Sequence, residues 1–458
     1  MTSLEAGKPQ IQAPVVLRKR KLTPLEERQA KQARIAWYLY DFGNSAYASV
    51  VLLAVYSAYF QGTVVGGPRG SWLWGLSVGI AMLVVAISSP ILGAIADFAG
   101  AKKRFLFFFT ALSIAFTGML FFVQKGDIVT GMLFFILAEI GYRAAQVFYD
   151  ALLPEIAAPD EMSKVSGNGW AIGSAGGFVS LLIVLALILT FKGEFIVRLS
   201  MVVTAAFFAL SALPLFLLVK EKAVPQPLPP GQNHLTVASQ RLRYTFTSVK
   251  QFKPFVRFII AFLIYNDGII MLLDFAAIIG AVLFGLTQQQ LIIVMLIVQV
   301  TSVGGAYLFG LVSDRLNSKN ALVISLLMLI AIVIVQIFAQ SVVLFYILAA
   351  LAGFALTGVQ SVSRTAVGLM CPEGKSAEFY GMFAVAGRTS SFIGPTVYGW
   401  LAANAAYWFH EMGYPAKLAE QSGQRVAIAS IAVFLLVGLG LLMAIKKTYF
   451  EPVREIAD

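Results

Sequence analysis

Charged side chains are scarce in this chain of 458 residues. Asp, Glu, Lys and Arg make up 12% of it, whereas soluble domains contain about 25%. Hydrophobic residues account for 59% of the sequence. This composition excludes an ordinary soluble domain, and it predicts a protein that crosses a membrane several times.

Cysteine, histidine and recognisable enzyme motifs are also missing or rare. Cys371 is the single cysteine, so no intramolecular disulfide can form. The two histidines, His234 and His410, lie outside the long apolar runs, which argues against a histidine metal site. No glycine-rich phosphate loop, zinc motif or nucleophile elbow occurs. We therefore expect no metal, no cofactor and no enzymatic activity.

The net charge of +11 is a further imbalance. Nucleic acid would be one explanation, but the basic residues lie between the apolar runs and do not gather in one domain. The positive-inside bias of membrane proteins explains this distribution better. We therefore expect a lipid bilayer as a partner and no nucleic acid.

Long apolar runs are what the sequence has in abundance. A spanning helix needs about 20 apolar residues, and runs of that length recur about twelve times. The first six runs cover residues 35–60, 71–96, 105–123, 129–153, 165–191 and 195–219, and the last six cover residues 255–284, 291–312, 321–339, 342–370, 379–407 and 426–445. The sequence thus predicts an all-α membrane protein with twelve transmembrane helices.

Basic residues concentrate in alternate loops. Clusters lie at residues 102–104, 220–253, 315–319 and 446–447, whereas the opposite loops hold only scattered positive charges. The first 34 residues are basic as well and contain no short apolar run with a cleavage site, so no removable signal peptide is expected. The positive-inside rule then predicts that both termini are cytoplasmic.

The central segment separates the runs into two groups of six. It opens with prolines at positions 225, 227, 229 and 230, and Leu242, Phe246 and Val249 then share one face of a predicted short surface helix. The predicted units are a basic tail (1–34), a first bundle (35–219), this linker (220–253), a second bundle (254–447) and a C-terminal tail (448–458).

The two groups of runs echo each other in sequence. Because the matched motifs keep the same order, we predict an internal duplication that gives two pseudo-symmetric six-helix bundles. The matched pairs are Tyr-Asp-Phe-Gly at 40–43 with Tyr-Asn-Asp-Gly at 265–268, Gly-Ala-Ile-Ala-Asp at 93–97 with Gly-Leu-Val-Ser-Asp at 310–314, and Gln146 before Pro-Asp-Glu-Met-Ser at 159–163 with Gln360 before Pro-Glu-Gly-Lys-Ser at 372–376.

The fourth run carries polar side chains on one helical face. Glu139, Arg143, Gln146 and Asp150 are separated by four, three and four residues. A charge at the bilayer centre costs about 2.5–3.5 kcal/mol on insertion scales. We interpret the stripe as the lining of a solute path, and the alternative is a self-neutralising Glu139–Arg143 pair that only keeps the helix packed. Asp150, nearest the cytoplasmic end, is assigned to a gate.

Two further carboxylates lie in runs that echo each other. Asp41, with Asn44 nearby, belongs to the first run, and Asp267, with Asn266 beside it, belongs to the seventh. Either carboxylate could bind and release a proton or contact a solute at this depth. For Asp41, the alternative is a structural hydrogen-bond anchor.

The tenth run contains Arg364, which Gln360 precedes by one helical turn. Arginine binds carboxylates through two parallel hydrogen bonds and does not readily lose its charge. Arg364 could therefore hold the carboxylate of an amino-acid-like solute, or it could pair with Asp267 or Asp41 across the halves. Arg388 in the eleventh run is open to the same two interpretations.

Charged residues in the loops after the second and eighth runs are predicted to form gates. These residues are Asp97, Lys102, Asp314, Arg315 and Lys319. The glycines at positions 169, 173 and 177 recur every four residues along the fifth run, and that spacing predicts close helix packing.

The paired Gly-x-x-x-Asp motifs resemble the signature of the major facilitator superfamily of transporters. The first copy departs from it, because Phe98 stands where an arginine is usual and Ala101 replaces another basic position. The second copy keeps Asp314, Arg315 and Lys319. This resemblance implies two six-helix bundles that rock about a central site.

A narrower set of motifs resembles the vacuole-effluxer-like branch, which includes bacterial transporters and the fungal autophagy-related vacuolar amino-acid effluxer. The motifs are Trp-Tyr-Leu-Tyr-Asp-Phe-Gly-Asn-Ser-Ala-Tyr at 37–47, Tyr-Asn-Asp-Gly at 265–268, Gln-Ser-Val-Ser-Arg at 360–364, Glu-Phe-Tyr-Gly at 378–381 and Gly-Pro at 394–395. Asp150 stands where the branch is expected to have asparagine. The resemblance implies export of amino acids or similar small organic solutes across a bacterial inner membrane.

Together these observations predict a monomeric secondary transporter that works by alternating access. We expect proton coupling through Asp41 or Glu139, with Arg143 or Arg364 contacting the solute. An exporter of amphipathic drugs or lipids is the alternative within transport, and it predicts that Arg143 and Arg364 are dispensable for binding. A membrane sensor or scaffold that keeps the fold without turnover is the alternative of another class.

Overall fold

The computed structural model describes residues 23–450 of the chain, apart from residues 67, 192, 224, 228–232, 234–235, 238–239, 241–251 and 287. Twelve long helices account for most of this part, as the apolar runs predicted. They are α1 (Pro24–Val65), α2 (Pro68–Ala99), α3 (Lys102–Met119), α4 (Ile128–Ala151), α5 (Met162–Phe191), α6 (Glu194–Leu218), α7 (Lys253–Phe284), α8 (Gln288–Leu316), α9 (Ser318–Phe338), α10 (Val342–Met370), α11 (Ser376–Glu411) and α12 (Ala416–Met443).

Eleven of these helices are long and apolar enough to cross a membrane. The remaining one, α11, has 36 residues and a more polar composition. The largest difference from the predicted bounds is at α1, which begins at Pro24 and not near residue 35. A capping box at Thr23 and Glu26 starts this helix, so residues 24–34 of the predicted tail are its first turns. Charged helical turns outside the bilayer leave no apolar signal.

Helix α1 changes its winding along its length. It is α-helical from Pro24 to Ala46 and then forms two π-helical stretches, Tyr47–Ala54 and Phe60–Val65, around a short α-helical turn. Such wider turns are frequent at functional sites. The first one starts close to Asp41 and Asn44, at the level of the polar residues described below.

The helices pack as two bundles with the same internal arrangement. In the first half, α1 packs against α5 and α6, α3 against α4 and α6, and α2 against α4. In the second half, α7 packs against α11 and α12, α9 against α10 and α12, and α8 against α10. Each contact of the first bundle recurs six helices later, which confirms the two pseudo-symmetric six-helix bundles.

The two halves meet mainly through α2 with α11 and α5 with α8. We call the side of the molecule where α1 begins and α12 ends the termini face. At this face the backbones of the halves touch. A Cβ atom added to Gly93 of α2 would lie 2.7 Å from the carbonyl carbon of Ala377 in α11, and one added to Gly167 of α5 would lie 2.6 Å from the carbonyl oxygen of Ala306 in α8. The termini face is therefore closed.

The described start of the linker runs across this face. Lys103 of α3 donates from Nζ to the carbonyl of Val219 at 2.6 Å, and the backbone N–H of Gln226 donates to the carbonyl of Phe98 at 3.0 Å. The predicted surface helix around Leu242 lies outside the described residues.

Candidate functional site

The predicted polar stripe of α4 contains an ion pair that is open to solvent at one end. Arg143 donates from Nε to Glu139 Oε1 at 2.8 Å; the Glu139 side chain is fully buried, whereas that of Arg143 is 28% exposed. Tyr47 stacks on Tyr142 with ring centroids 4.6 Å apart and brings its hydroxyl beside Glu139. Gln146 lies next to Tyr142 on the same face. The pair that we considered as a packing device thus forms, and its guanidinium remains accessible.

Arg364 of α10 is held by three helices of the other half. Its Nε and Nη2 donate to the hydroxyl and the carbonyl of Ser166 in α5, at 3.0 and 2.7 Å. Its Nη1 donates to Asp150 Oδ1 of α4 at 3.2 Å and lies 3.9 Å from Asp41 Oδ2 of α1. Of the two pairings that we considered, the one with Asp41 occurs, and Asp150 is a partner that the sequence did not indicate.

Aromatic rings enclose this guanidinium. The Arg364 Cζ atom lies 4.8 Å from the ring centroid of Trp37 and 5.7 Å from that of Trp170. Trp37 itself stacks on Tyr149 with centroids 4.4 Å apart and donates from Nε1 to the Tyr149 carbonyl at 3.0 Å. A desolvated cation against aromatic faces is strongly held. We call Arg364 with Asp41, Asp150 and Ser166 the central latch.

The glycines of α5 allow Asp41 to lie against the backbone of that helix. A Cβ atom added to Gly173 would come within 2.9 Å of Asp41 Cγ. The side chains of Asn44 and Tyr149 lie beside the same carboxylate, which is 14% exposed. The predicted close packing at the glycine row is confirmed, and it places Asp41 at the interface of α1 and α5.

The polar residues of α7 have partners within their own half. Asp267 accepts a hydrogen bond at Oδ1 from the backbone N–H of Gly394 in α11 at 2.7 Å. Asn266 accepts at Oδ1 from Gln360 Nε2 of α10 at 3.1 Å. Of the two predicted partners, Arg364 therefore pairs with Asp41, while the Asp267 carboxylate accepts from the backbone of α11.

The gate between α2 and α11 is a buried network of ions. Asp97 accepts hydrogen bonds from the backbone N–H groups of Ala377 and Glu378, at 3.1 and 2.8 Å, in the first turn of α11. Lys102 is buried as well, with its Nζ 3.3 Å from Asp97 and 2.5 Å from Glu155 in the turn after α4. We call this network the ionic gate.

Two glutamates of the ionic gate were missed in the sequence. Glu221 in the linker accepts from the backbone N–H groups of Lys102 and Lys103, at 2.8 and 3.2 Å, and so caps α3. Burial raises the pKa of Glu221, although these two amides oppose the effect. Glu155 also accepts from the backbone N–H of Lys222 at 2.7 Å. Single carboxylates in loops carry no periodic pattern, so only their nearness to a basic loop could have suggested them.

The gate between α5 and α8 contains hydroxyl groups in place of buried ions. Asp314 is exposed, and its Oδ1 accepts from the backbone N–H of Lys164 in the first turn of α5 at 3.2 Å. Beside it, the hydroxyl of Ser313 lies within hydrogen-bonding distance of the hydroxyls of Ser163, at 2.7 Å, and Ser318, at 3.0 Å. We call this set the hydroxyl gate.

The other two predicted gate residues do not join the hydroxyl gate. Lys319 donates from Nζ to the carbonyl of Met443 at 2.9 Å and also to that of Ile445, at the end of α12. It thus stabilises a helix C-terminus, whereas its counterpart Lys102 contacts carboxylates. Arg315 is exposed, and we find no ion pair or hydrogen bond for its side chain within the described residues.

A protein-family model, a bacterial protein and a fungal protein are similar to this chain in sequence. The family model described as "Vacuole effluxer Atg22 like" matches residues 74–448. An uncharacterized MFS-type transporter, YxiO of Bacillus subtilis, is 28% identical over 79% of this chain and 86% of its own length. Autophagy-related protein 22 of Yarrowia lipolytica is 25% identical over 52% of this chain, and the match covers 45% of that longer protein.

Solved structures share the fold at low sequence identity. The human organic anion transporter MFSD10 has a TM-score of 0.69 and 14% identity over 92% of this chain and 100% of its own. The proton:xylose symporter XylE has a TM-score of 0.67 and 13% identity over 93% of this chain and 98% of its own. These similarities show the major facilitator fold. With the family model covering most of its length, this integral membrane protein belongs to the vacuole effluxer Atg22-like family of major facilitator transporters.

Proposed function

We propose that this transporter exports a small amino-acid-like solute from the cytoplasm of a bacterial cell, as a monomer, by alternating access. The observation that supports it best is the arrangement of charges between the halves. Carboxylates and guanidinium groups from α1, α4 and α10 form two ion-paired sets between the halves. The central latch lies about two turns of α4 nearer the closed termini face than the Glu139–Arg143 pair. Buried charges of this kind in a membrane mark substrate and ion pathways.

Accessibility favours a conformation that opens away from the termini face. The Arg143 side chain is 28% exposed although it belongs to a stripe that faces the other half. The two gates and the central latch lie between the Glu139–Arg143 pair and the termini face. The basic loops favour a cytoplasmic termini face, and we therefore propose that this conformation is outward-facing. The opposite conformation requires both gates and the latch to separate.

The mixture of charges favours a solute that carries both signs. A free amino acid has an ammonium and a carboxylate group. The acidic side chains between the halves could bind the ammonium group, and the guanidinium groups there could bind the carboxylate. An amphipathic drug or a lipid tail would need a wider apolar lining. The direction of transport rests on the effluxer family alone.

The central latch suggests how protons could be coupled. Asp41 and Asp150 share the single guanidinium of Arg364. Protonation of one carboxylate would weaken the latch, and separation of the halves would expose the group to release the proton. We therefore propose Asp41 or Asp150 as the proton carrier, whereas Glu139 already has Arg143 as its own cation.

The test is counterflow in proteoliposomes that contain the purified protein. Vesicles loaded with a mixture of unlabelled amino acids should accumulate the matching labelled amino acid, and an imposed pH gradient should change net flux. Arg364→Gln should abolish net proton-driven flux, and Arg315→Gln is the matched control on an exposed arginine. Binding without counterflow would favour a sensor, and counterflow of lipophilic cations alone would favour a drug exporter. A flux that ignores the pH gradient would remove the coupling proposal.

A further inference from the structure

Arg388 in α11 carries a guanidinium group that forms no ion pair within the described part of the chain. It lies twelve residues beyond Ser376, the first residue of α11, which is about 18 Å along the helix and close to the middle of a bilayer. Its Nη1 donates to the carbonyl of Ala384 at 3.0 Å, and its Nη2 donates to the carbonyl of Arg143 at 3.1 Å. Its Nε is buried and has no acceptor among the residues that the structure describes.

The surroundings of Arg388 contain a like charge in place of a partner. In the described part of the chain no carboxylate forms an ion pair with it, and its Nη2 contacts the backbone of Arg143, which carries a like charge. The nearby carboxylates of Glu139 and Asp150 each pair with another arginine. Arg388 is thus unlike both Arg143 and Arg364, which each have a carboxylate within 3.2 Å.

An uncompensated cation at this depth is costly. Removing one partner of a buried ion pair is strongly destabilising, and Arg388 has no such partner among the described residues. The like charge of Arg143 increases the cost. Proteins keep expensive charges in the membrane where they serve a pathway or a ligand. A ligand carboxylate would satisfy the free Nε and relieve the repulsion from Arg143 together.

We propose that Arg388, with Arg143 opposite it, binds the carboxylate of the transported solute. The two guanidinium groups belong to α11 and α4, so a carboxylate between them bridges the second half to the first. The solvent-exposed side chain of Arg143 marks the open approach. Arg364 is excluded from this role in the closed latch, because Ser166, Asp150 and Asp41 occupy it. The inference rests on the proposed transport function and narrows its substrate to carboxylate-bearing solutes.

A ligand-free measurement separates this role from a structural one. If Arg388 is a binding group without its counter-ion, Arg388→Gln removes a like-charge contact and should raise the thermal unfolding midpoint of the purified protein. If its bonds to the Ala384 and Arg143 carbonyls hold the fold together, the midpoint should fall. Arg315→Gln, which removes an exposed arginine, should leave the midpoint unchanged. A lower midpoint for Arg388→Gln overturns the inference.

The second arm uses free amino acids and their neutral-ended analogues. The twenty amino acids and the corresponding amino amides are added to wild type, Arg388→Lys and Arg388→Gln, and the midpoints are compared. At least one amino acid should stabilise wild type while its amide does not. The amino-acid concentration for half-maximal stabilisation should be about tenfold higher in Arg388→Lys, which keeps the charge but loses the planar guanidinium donors. The amino acid should not stabilise Arg388→Gln.

Four further outcomes overturn the inference. If an amino acid and its amide stabilise wild type equally, the protein has no carboxylate site. If the amino acid stabilises Arg388→Gln as strongly as wild type, the site lies elsewhere. An absent response of wild type to every carboxylate also rejects it. Counterflow of an uncharged solute, unaffected by Arg388→Gln, would reject this inference and leave the transport proposal standing. Absence of counterflow for all solutes would reject the transport proposal itself.

Discussion

The two gates at the termini face have the same backbone geometry and different side chains. In both, an aspartate at the end of one helix accepts hydrogen bonds from first-turn N–H groups of a helix in the other half: Asp97 from α11 and Asp314 from α5. Both contacts place a carboxylate at a helix N-terminus, where the helix dipole favours negative charge. Around them, the ionic gate buries Lys102 with two carboxylates, whereas the hydroxyl gate has three serines and an exposed aspartate.

The helix-end aspartate is common to both halves and contacts the helix opposite in each, whereas the side chains around it differ. We infer that the ionic gate contributes most of the free energy that keeps the termini face closed, since removing one member of a buried ion network leaves its partner charge uncompensated.

Cys371, the single cysteine, can report on this closure. It follows α10 at the termini face, and its Sγ donates to the Gly368 carbonyl at 3.2 Å. Burial raises the pKa of its thiol to about 12, with a further contribution from the Asp97 carboxylate. The thiol should therefore react slowly with maleimide while the gates are closed. Opening of the ionic gate should accelerate its alkylation.

The largest effect is expected from Lys102→Ala. This substitution leaves Asp97 and Glu155 buried without their cation, which should destabilise the closed conformation by about 3 kcal/mol, or roughly a hundredfold in the opening equilibrium. Alkylation of Cys371 should accelerate accordingly in a sample that stays monodisperse on gel filtration. Unchanged alkylation in a folded variant would show that the ionic gate does not hold the face closed.

An intermediate effect is expected from Glu221→Gln. The variant keeps one capping oxygen but loses the second, so only one of the N–H groups of Lys102 and Lys103 retains its acceptor, and it loses the charge that favours a helix N-terminus. A loss of about 1 kcal/mol, or roughly fivefold in alkylation rate, should follow. Lys222→Gln changes the adjacent side chain while retaining the backbone bond to Glu155, and it serves as the control. An effect as large as that of Lys102→Ala would make the linker, and not the buried lysine, the main support of the gate.

A small effect is expected from Asp314→Asn. The exposed carboxylate at the start of α5 is screened by solvent, so its loss should cost about 0.5 kcal/mol, or roughly twofold in alkylation rate. If Asp314→Asn accelerates the alkylation of Cys371 as much as Lys102→Ala does, the two gates contribute equally to closure. The buried ions of the ionic gate would then add no stability to the closed conformation.

No effect is expected from Arg315→Gln. The side chain follows Asp314 in the repeated motif, but it is exposed at the end of α8. Wild-type alkylation and counterflow rates should be retained. A clear change in either would assign Arg315 a gate role that its position in the closed conformation does not explain.

The sequence predicted the architecture well because apolar length and repeated motifs are local signals. The twelve runs gave twelve helices, and the matched Asp97 and Asp314 lie at equivalent positions of the two halves. The Glu139–Arg143 pair followed from helical spacing alone. Each of these inferences needs only residues that are close in the chain or related by the duplication.

The partners of buried charges could not be predicted in the same way. Arg364 contacts Asp150 and Ser166 of the other half, about two hundred residues away, because the rotation of α10 about its axis depends on how the bundles dock. Sequence gives the depth of a charge in the membrane, but several carboxylates share that depth. By depth alone, Asp267 is as good a candidate partner for Arg364 as Asp41, but in the structure it accepts from the Gly394 N–H.

Alternating access requires the termini face to open during transport. The most direct test is alkylation of Cys371 in wild-type proteoliposomes by a maleimide that reaches only the termini face, with and without an amino acid that shows counterflow. The predicted result is slow labelling of Cys371 without the amino acid and faster labelling when the amino acid is present on both sides of the membrane. A labelling rate that stays the same while the amino acid is being exchanged would contradict alternating access through these gates.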